Sequence, residues 1–217
     1  GLVREQFQAL EDFGTSTAGK SVRLSLAGAN TILEWLVAPR LGPATLPGVE
    51  FDLHHERQAE MIEHLQDGSL DLAIIAKEQL GRQFATAPLG SLEYSLFIPK
   101  NLGKGSNLRQ ALREFPLALP IGGRVRGAVI KYAGELMGET LGTTGYLNAL
   151  ASLKAGHYAS VLPTLAAPDL GTSVRSIQIP ESIIPKRQIV LAWKRRTAAT
   201  RPAVDAAIAR LKELLTF

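Results

Sequence analysis

Residues 65–76 read LQDGSLDLAIIA, and this stretch decides the fold class. A helix predicted over 57–66 ends at Gly68, and glycine often takes the left-handed conformation just after a helix. The run from Leu70 to Ala76 is apolar except for Asp71, which is typical of a strand buried on both faces in a parallel sheet. A helix that leads directly into a buried strand predicts an α/β fold.

The segments before this stretch show the same alternation of strand and helix. Val22 to Leu26 alternates apolar and polar residues, as a strand does. A helix is predicted from Thr31 to Leu41, opened by Thr31 and Glu34 at the spacing of a capping box. Val49 to Leu53 alternates again and predicts the second strand. Right-handed crossovers would assemble this order into a small parallel sheet covered by helices.

The second half of the chain repeats the alternation, which predicts a second α/β lobe. Ligands of such sheets bind beyond the carboxyl ends of the strands, so two lobes joined by extended segments are expected to enclose a cleft there. A terminal helix begins at Pro202, a residue favoured at the first helical position. The other predicted elements are strands at 92–99, 117–120, 159–162, 174–179 and 188–193, and helices at 108–113, 125–136 and from about 146 to Lys154.

Composition narrows the class of protein. Hydrophobic residues make up 46% of the 217 residues, which supports a substantial buried core. The chain has no cysteine, so disulfides, thiolate metal sites and cysteine nucleophiles are excluded. No apolar run approaches the roughly 20 residues needed to span a bilayer. A cytoplasmic protein is therefore expected.

Six basic residues gather late in the chain, although the net charge of +4 is modest. Binding to nucleic acid requires charges gathered on one face of the fold. These residues flank a predicted apolar strand, so a solvated strand end and loop is the favoured interpretation. The six are Lys186, Arg187, Lys194, Arg195, Arg196 and Arg201.

Three segments together resemble the effector-binding domain of LysR-type transcription regulators. The most specific is 65–74, LQDGSLDLAI, which is similar to the family pattern L-x-x-G-x-L-D-L-A-I. The others are 22–28, VRLSLAG, with 36–41, LVAPRL, and then 153–163, LKAGHYASVLP, which is similar to V-x-x-G-x-G-I-A-x-L-P. The last segment departs from its pattern at residues 157–158, where small residues are commoner. This departure concerns the pocket rather than the fold.

The resemblance implies an α/β fold of two Rossmann-like lobes joined by two crossover strands, 92–99 and 188–195, as in type 2 periplasmic binding proteins. Family members carry an N-terminal helix-turn-helix that binds DNA, which would be missing from this chain. A small-molecule effector in the interlobe cleft and a homodimer or tetramer are also implied, and a cofactor is not. The expected bounds are 1–19 for a remnant of the linker helix and linker, 20–93 plus 194–217 for lobe I, and 94–193 for lobe II.

Effector-binding positions are expected where strands end and helices begin, because free N–H groups and the helix dipole favour anions there. The side chains of Asn30, Thr31 and Thr144 could hydrogen-bond a ligand, although helix capping explains each of them equally well. The expected strand-end positions are Ala29, Asn30, Thr31, Ile75, Ala76, Ile121, Gly122, Gly123 and Thr144.

Three arginines could clamp a ligand carboxylate in bidentate fashion, namely Arg57, Arg124 and Arg126. An exposed surface arginine is the commoner outcome for each of them.

Metal binding and catalysis find little support in the motifs. His54 and His55 are adjacent strand residues that point to opposite faces, so they are poorly placed to share a metal ion. No nucleophile elbow, P-loop or dinucleotide motif follows a strand. Asp71 is expected to accept hydrogen bonds beside its strand. The leading hypothesis is therefore a small-molecule sensor and not an enzyme, and the alternative is a solute-binding protein of a transporter.

Overall fold

The computed structural model describes residues 21–103, 107–134 and 138–217. The linker helix expected within residues 1–19 lies outside these ranges. Up to residue 76 the elements alternate in the predicted order, and an additional strand then follows. They are β1 (Val22–Gly28), α1 (Asn30–Ile32) continued by a π-helical turn (Leu33–Val37), β2 (Val49–His55), α2 (Gln58–Asp67), β3 (Leu72–Ala76) and β4 (Phe84–Leu92).

The rest of the chain repeats the alternation and ends in two helices. Short 3-10 turns follow β3 and the strand at residues 94–99, and others flank the short helix at residues 167–170. The remaining elements are β5 (Tyr94–Pro99), α3 (Leu108–Glu114), β6 (Leu117–Pro120), α4 (Arg124–Ala133), β7 (Thr140–Thr143), α5 (Tyr146–Lys154), β8 (Ala159–Pro163), α6 (Ala167–Leu170), β9 (Val174–Gln178), β10 (Arg187–Lys194), α7 (Arg195–Thr200) and α8 (Pro202–Leu215).

The chain forms two compact units and passes between them twice. Among the described residues, the first unit comprises 21–91 and 187–217, and the second comprises 92–186. The boundaries therefore differ from the expected ones. Residues 187–193, which the sequence analysis assigned to lobe II, belong to the first unit because β10 pairs with β3.

The first unit is built on a five-stranded sheet with the order β2-β1-β3-β10-β4. Strands β1, β2 and β3 are parallel, so their carboxyl ends lie at one edge. Strand β10 runs antiparallel to β3, with Ile189 opposite Ala76. The amino end of β10, which begins at Arg187, therefore lies at the same edge as the carboxyl end of β3.

The second unit has a five-stranded sheet with the order β7-β6-β8-β5-β9. Strands β6, β7 and β8 are parallel, and β5 runs antiparallel to both β8 and β9. Pro120 and Thr143, the last residues of β6 and β7, are opposite each other. Tyr94, at the amino end of β5, pairs with Pro163 at the carboxyl end of β8. All four residues lie at one edge of the sheet.

The core of the first unit confirms the prediction made from residues 70–76. All five residues of β3 are buried. One face of the sheet packs against α2, where Met61 and Leu65 join Ala73 and Ile75 in an apolar cluster. Gly68 ends α2 in the left-handed conformation, at φ 83° and ψ 17°, as predicted.

A buried ion pair links the start of β3 to the C-terminal helices. The Arg201 guanidinium donates to Oδ1 of Asp71, and both side chains are almost fully buried. Oδ2 of Asp71 accepts hydrogen bonds from the amide N–H of Ser25 at 2.9 Å and from its hydroxyl at 3.2 Å. The hydrogen-bonding role expected for Asp71 is confirmed. The solvated position expected for Arg201 is wrong, because the α7–α8 junction carries it into the interior.

The helix after β1 is shorter and differently wound from the one predicted over 31–41. The capping-box prediction is wrong, because the N-cap residue is Ala29, which has no side-chain cap, and Thr31 lies inside the helix. The chain then widens into the π-helical turn, where the N–H of Ala38 donates to the carbonyl of Leu33 at 2.8 Å. Three consecutive residues of this turn are buried, so tertiary packing overrides the local capping pattern.

Three further elements were missed in the sequence. Strand β7 lies at a sheet edge with three of its four residues exposed, so it lacks the apolar alternation that marks a strand. Strand β4 was not predicted, and the predicted strand at 92–99 begins at its last residue. Helix α7 occupies part of the basic run that was interpreted as a loop.

Helix α4 begins after a glycine that is required by its backbone conformation. Gly123 has φ 89° and ψ 175°, a region that other residues enter only with strain. A Cβ atom at Gly123 would meet no atom within 4 Å, and the same holds for the neighbouring Gly122, which lacks a positive φ. An alanine at either position would therefore clash with nothing, and only the alanine at Gly123 would strain the backbone.

We expect the substitution Arg201→Met to lower the free energy of unfolding by about 3–5 kcal/mol, because it leaves the Asp71 carboxylate buried without its counter-charge. Arg23→Met is the matched control, since Arg23 pairs with Glu50 at the surface and its loss should change stability by less than about 1 kcal/mol. Urea denaturation measures both values. Equal losses of unfolding free energy in the two variants would show that the buried pair contributes no more to stability than the surface pair does.

We expect Gly123→Ala to destabilise the protein by about 1–3 kcal/mol through backbone strain alone. Gly122→Ala should be neutral or slightly stabilising, since its backbone tolerates a side chain and alanine restricts the unfolded chain. The comparison is made by urea denaturation of the two single variants. A larger loss at Gly122 than at Gly123 would contradict the assignment.

Candidate functional site

The carboxyl edge of the first sheet opens with the turn after β1. The carbonyl of Ala29 accepts hydrogen bonds from the N–H groups of Ile32 at 2.9 Å and Leu33 at 3.0 Å. Asn30 is exposed and Thr31 is half-buried, and neither serves as the N-cap of α1. The capping explanation considered for these two side chains is therefore wrong, which leaves both of them available to a ligand.

The end of β3 is less accessible than the sequence analysis expected. Ile75 is 3% exposed and belongs to the apolar cluster of the first unit, and Ala76 is 5% exposed. The carbonyl oxygen of Ala76 accepts a hydrogen bond from the amide nitrogen Nε2 of Gln58 at 3.3 Å. Side chains of β3 therefore lie beneath this edge, and a side chain from α2 covers its last carbonyl.

Arg187 and Gln58 also lie at this edge, and neither was identified as a candidate site residue from the sequence. Arg187 begins β10, and its Nη2 donates to Oε1 of Gln58 at 3.4 Å. Nε of Arg187 is buried and has no hydrogen-bond partner among the described residues. The sequence places Arg187 only in a basic run, because the antiparallel pairing that brings it beside Ala76 is a tertiary feature.

Arg57, the candidate clamp of the first lobe, is exposed at the start of α2. Its backbone N–H donates to Oε2 of Glu60 at 2.8 Å, so a carboxylate of the protein already occupies this helix N-terminus. Nearby, Nδ1 of His64 lies 3.0 Å from Oε2 of Glu56. No group of His, Cys, Asp or Glu side chains in the described part of the chain could hold a metal ion.

At the carboxyl edge of the second sheet, the loops after β6 and β7 are joined by backbone. The N–H of Ile121 donates to the carbonyl of Thr143 at 2.8 Å, and the Ile121 side chain is 66% exposed, a large apolar surface beside a glycine pair. Gly122 and Gly123 are both exposed. A ligand could approach the backbone closely here.

The two candidate arginines of this unit differ in their partners. Nη2 of Arg124 donates to the carbonyl of Pro185 at 2.7 Å, so this side chain is engaged in holding a loop. Arg126 lies in the first turn of α4 and is half-buried. Its Nη1 is buried without a hydrogen-bond partner in the described ranges. Arg126 is thus the better placed of the two to receive an anion.

Two threonines follow each other at the end of β7, and the sequence analysis named only Thr144 as a candidate ligand contact. The hydroxyl of Thr144 accepts a hydrogen bond from Nδ2 of Asn148 at 3.2 Å, within the first turn of α5. Thr143 is only 5% exposed, and its Oγ1 has no hydrogen-bond partner within the described residues. A buried hydroxyl without a partner is rare in folded proteins. Only burial, which requires the structure, distinguishes the two threonines.

A half-open pocket of about 170 Å³ lies at the same edge, beside the ends of β5 and β9. Its walls include Tyr94, whose ring lies 6.3 Å from that of Tyr146 at the start of α5. Glu93 and Lys186 form an ion pair of 2.6 Å across it. The hydrogen bond to Glu93, and then the charge of that carboxylate, raise the pKa of Lys186 above its usual value. The pocket therefore offers one aromatic wall and one mutually neutralised ion pair.

None of the helices in the described ranges combines the length and apolarity needed to cross a membrane.

Several solved structures are similar to this chain. The reduced OxyR regulatory domain from Pseudomonas aeruginosa has a TM-score of 0.67 and 20% identity, over 88% of this chain and 97% of that chain. Full-length CbnR in complex with its target DNA has a TM-score of 0.69 and 20% identity, over 99% of this chain and 79% of that chain. A reduced form of OxyR from N. meningitidis has a TM-score of 0.67 and 22% identity, over 89% and 96%.

At these identities the structures establish the fold. No curated protein matches the chain. The family model of the LysR substrate binding domain, by contrast, matches residues 17–216, nearly the whole chain. The chain therefore belongs to the LysR substrate-binding-domain family, the effector-sensing domains of LysR-type transcriptional regulators.

Proposed function

We propose that this domain binds a small-molecule effector at the carboxyl edges of its two sheets, and that binding regulates transcription in a cytoplasmic protein that also carries a DNA-binding domain. CbnR, a structural neighbour, has been solved as a full-length regulator on its target DNA. The family consists of regulators, which are not enzymes, and it does not support the alternative of a transporter solute-binding protein. Self-association into dimers or tetramers belongs to the same proposal.

The observation that carries the proposal is the hydroxyl of Thr143. A buried polar group without a partner has lost its hydration and gained nothing in return, which costs about 1–3 kcal/mol. An effector that supplies a hydrogen-bond partner would recover this free energy only in the bound state. The Thr143 hydroxyl therefore adds to the free energy of binding and not to the stability of the free protein.

Two features of the second unit favour a ligand that is polar at one end and apolar at the other. Arg126 supplies a buried N–H without a partner in the described chain. Ile121 supplies an exposed apolar side chain next to Gly122 and Gly123, where a ligand could contact backbone amides. In the first unit, Asn30 and Thr31 are separate candidates for polar contact with a ligand.

The effect on transcription follows from linkage. An effector shifts the balance between two arrangements of the regulator only by as much as its affinities for the two differ. Contacts that exist in one arrangement alone therefore set the size of the response. The Thr143 hydroxyl is suited to this role because it has no hydrogen-bond partner among the described residues.

We expect Thr143→Val to affect folding and binding in opposite directions. Valine keeps the shape and removes the unpaired hydroxyl, so the free protein should be as stable as the wild type or more stable. Affinity for the effector should fall about 3- to 100-fold, according to whether the lost hydrogen bond is to a neutral or a charged group. A thermal-shift screen of small carboxylates, amino acids and aromatic acids identifies ligands, and titration calorimetry then compares the variants.

Ser160→Ala is the matched control for this prediction. Ser160 is also a buried hydroxyl of the second sheet, but it donates to the carbonyl of Ala118 at 2.7 Å. Its removal should destabilise the fold by about 1 kcal/mol and leave the affinity for the effector unchanged. The proposal is wrong if no compound binds saturably, or if every compound that binds does so equally well to the Thr143→Val variant.

A further inference from the structure

We propose that the effector is an oxyanion, a carboxylate or a sulfate- or phosphate-like group, and that Arg187 of the first unit binds its negative charge while Gln58 positions the guanidinium. This inference rests on the proposed function, because it concerns the same edge of the first sheet. It adds the class of ligand and a binding residue that lies outside the set expected from the sequence.

The topology of the first sheet places Arg187 where ligands of parallel sheets bind. Ile189 of β10 is opposite Ala76, the last residue of β3. Arg187 lies two residues before Ile189, so it extends past the end of β3, at the edge where β1 and β2 also end. This edge is the one at which an α/β sheet receives ligands.

The guanidinium of Arg187 is held but not neutralised. Nη2 donates to Oε1 of Gln58 at 3.4 Å, and Nε2 of Gln58 donates in turn to the carbonyl of Ala76 at 3.3 Å. The glutamine is thereby oriented with its oxygen towards the arginine. An amide oxygen accepts a hydrogen bond but carries no net charge, so the positive charge of Arg187 remains.

No carboxylate pairs with Arg187 in the described part of the chain, although the first unit has acidic groups that could have done so. Three of these groups have other partners, and Glu78, in the exposed 3-10 turn just past the end of β3, forms no ion pair with Arg187 among the described residues. Glu56 contacts His64, Glu60 accepts from the amide of Arg57, and Asp71 pairs with Arg201.

A half-buried cation with an N–H group that lacks a partner carries a desolvation penalty in the free protein. Nε of Arg187 is buried and lacks a hydrogen-bond partner among the described residues. Burial removes water from a donor and a charge together, and the penalty is relieved when an anion supplies both an acceptor and a counter-charge. The planar guanidinium suits oxyanions because it can donate to two oxygens at once.

The second unit carries a cation of the same kind. Arg126 is half-buried, and its Nη1 is likewise buried without a partner in the described ranges. Each unit therefore presents one incompletely matched arginine beside the carboxyl edge of its sheet. Arg126 is therefore a separate candidate for contact with an anion in the second unit.

The test measures binding of defined anions to the wild-type domain and to Arg187→Gln. Sodium sulfate, succinate and benzoate are each titrated to about 50 mM. Sodium chloride at the same ionic strength is the reference for each titration, so that the effect of general electrostatic screening is subtracted. Succinamide and benzamide are the uncharged counterparts. The readouts are the melting temperature and the nitrogen-15 resonance of the Arg187 Nε–H group, assigned by its loss in the variant.

We expect at least one anion to raise the melting temperature saturably and to shift the Arg187 resonance. The matching amide should have no effect. Arg187→Gln should bind the anion at least about tenfold more weakly, because it loses one charge-assisted hydrogen bond. Sulfate binding without carboxylate binding would indicate an inorganic oxyanion, and the reverse would indicate an organic acid.

Two further variants distinguish an effect on the anion site from a general effect on folding. Arg23→Gln removes an arginine at the amino end of β1, on the opposite edge of the same sheet, and should bind the anion as the wild type does. Gln58→Glu places a carboxylate beside Arg187 and should abolish anion binding while Arg187 is still present. Far-UV circular dichroism confirms that each variant is folded.

The inference is overturned if none of the three anions binds saturably, as expected if water alone satisfies Nε. It is also overturned if Arg187→Gln binds as tightly as the wild type. Failure here is distinguishable from failure of the proposed function. A neutral effector whose affinity depends on Thr143 would leave the proposed function standing and remove the anionic class, whereas the absence of any ligand would remove both.

Discussion

Parallel pairing of short buried strands is the constraint on which the rest of this protein depends. A parallel strand cannot return through a tight turn, so a helix crosses between β1 and β2 and again between β2 and β3. Every strand of such a set then ends at the same edge, where the next helix begins. The second unit meets the same constraint with β6, β7 and β8. Loops from distant parts of the chain are thereby gathered at one edge of each sheet.

The polar groups of the two units divide according to whether the fold satisfies them. Asp71, Ser25 and Arg201 match donor to acceptor and charge to charge inside the first unit, where they link β1, β3 and the C-terminal helices. Thr143 and Arg187 have buried polar atoms that lack such partners within the described residues. Asp71 and Arg201 lie in the interior of the first unit, whereas Thr143 and Arg187 lie at the carboxyl edges of their sheets.

The fold is shared with proteins that have about a fifth of their residues in common with this chain. Such a relation preserves the apolar pattern of strands and helices, which tolerates exchange among residues of similar size. It does not preserve the polar groups that select a ligand. The chemical class of the effector must therefore be argued from the polar and charged residues of this chain, such as Thr143 and Arg187.

Local sequence determined the elements whose signals lie within a few residues of one another. The buried strand after Gly68, the role of Asp71 beside it and the start of α8 at Pro202 were all predicted correctly. Tertiary structure alone decided which polar groups are buried and which are matched. Asp71 meets Arg201 across 130 residues, and Arg187 reaches Gln58 across 129. Hydrophobic periodicity reports how a segment faces the core, but it carries no information about which distant segment pairs with it. The edges where strands end and helices begin could therefore be predicted from the sequence, whereas the burial of Thr143 and the position of Arg187 required the assembled sheets.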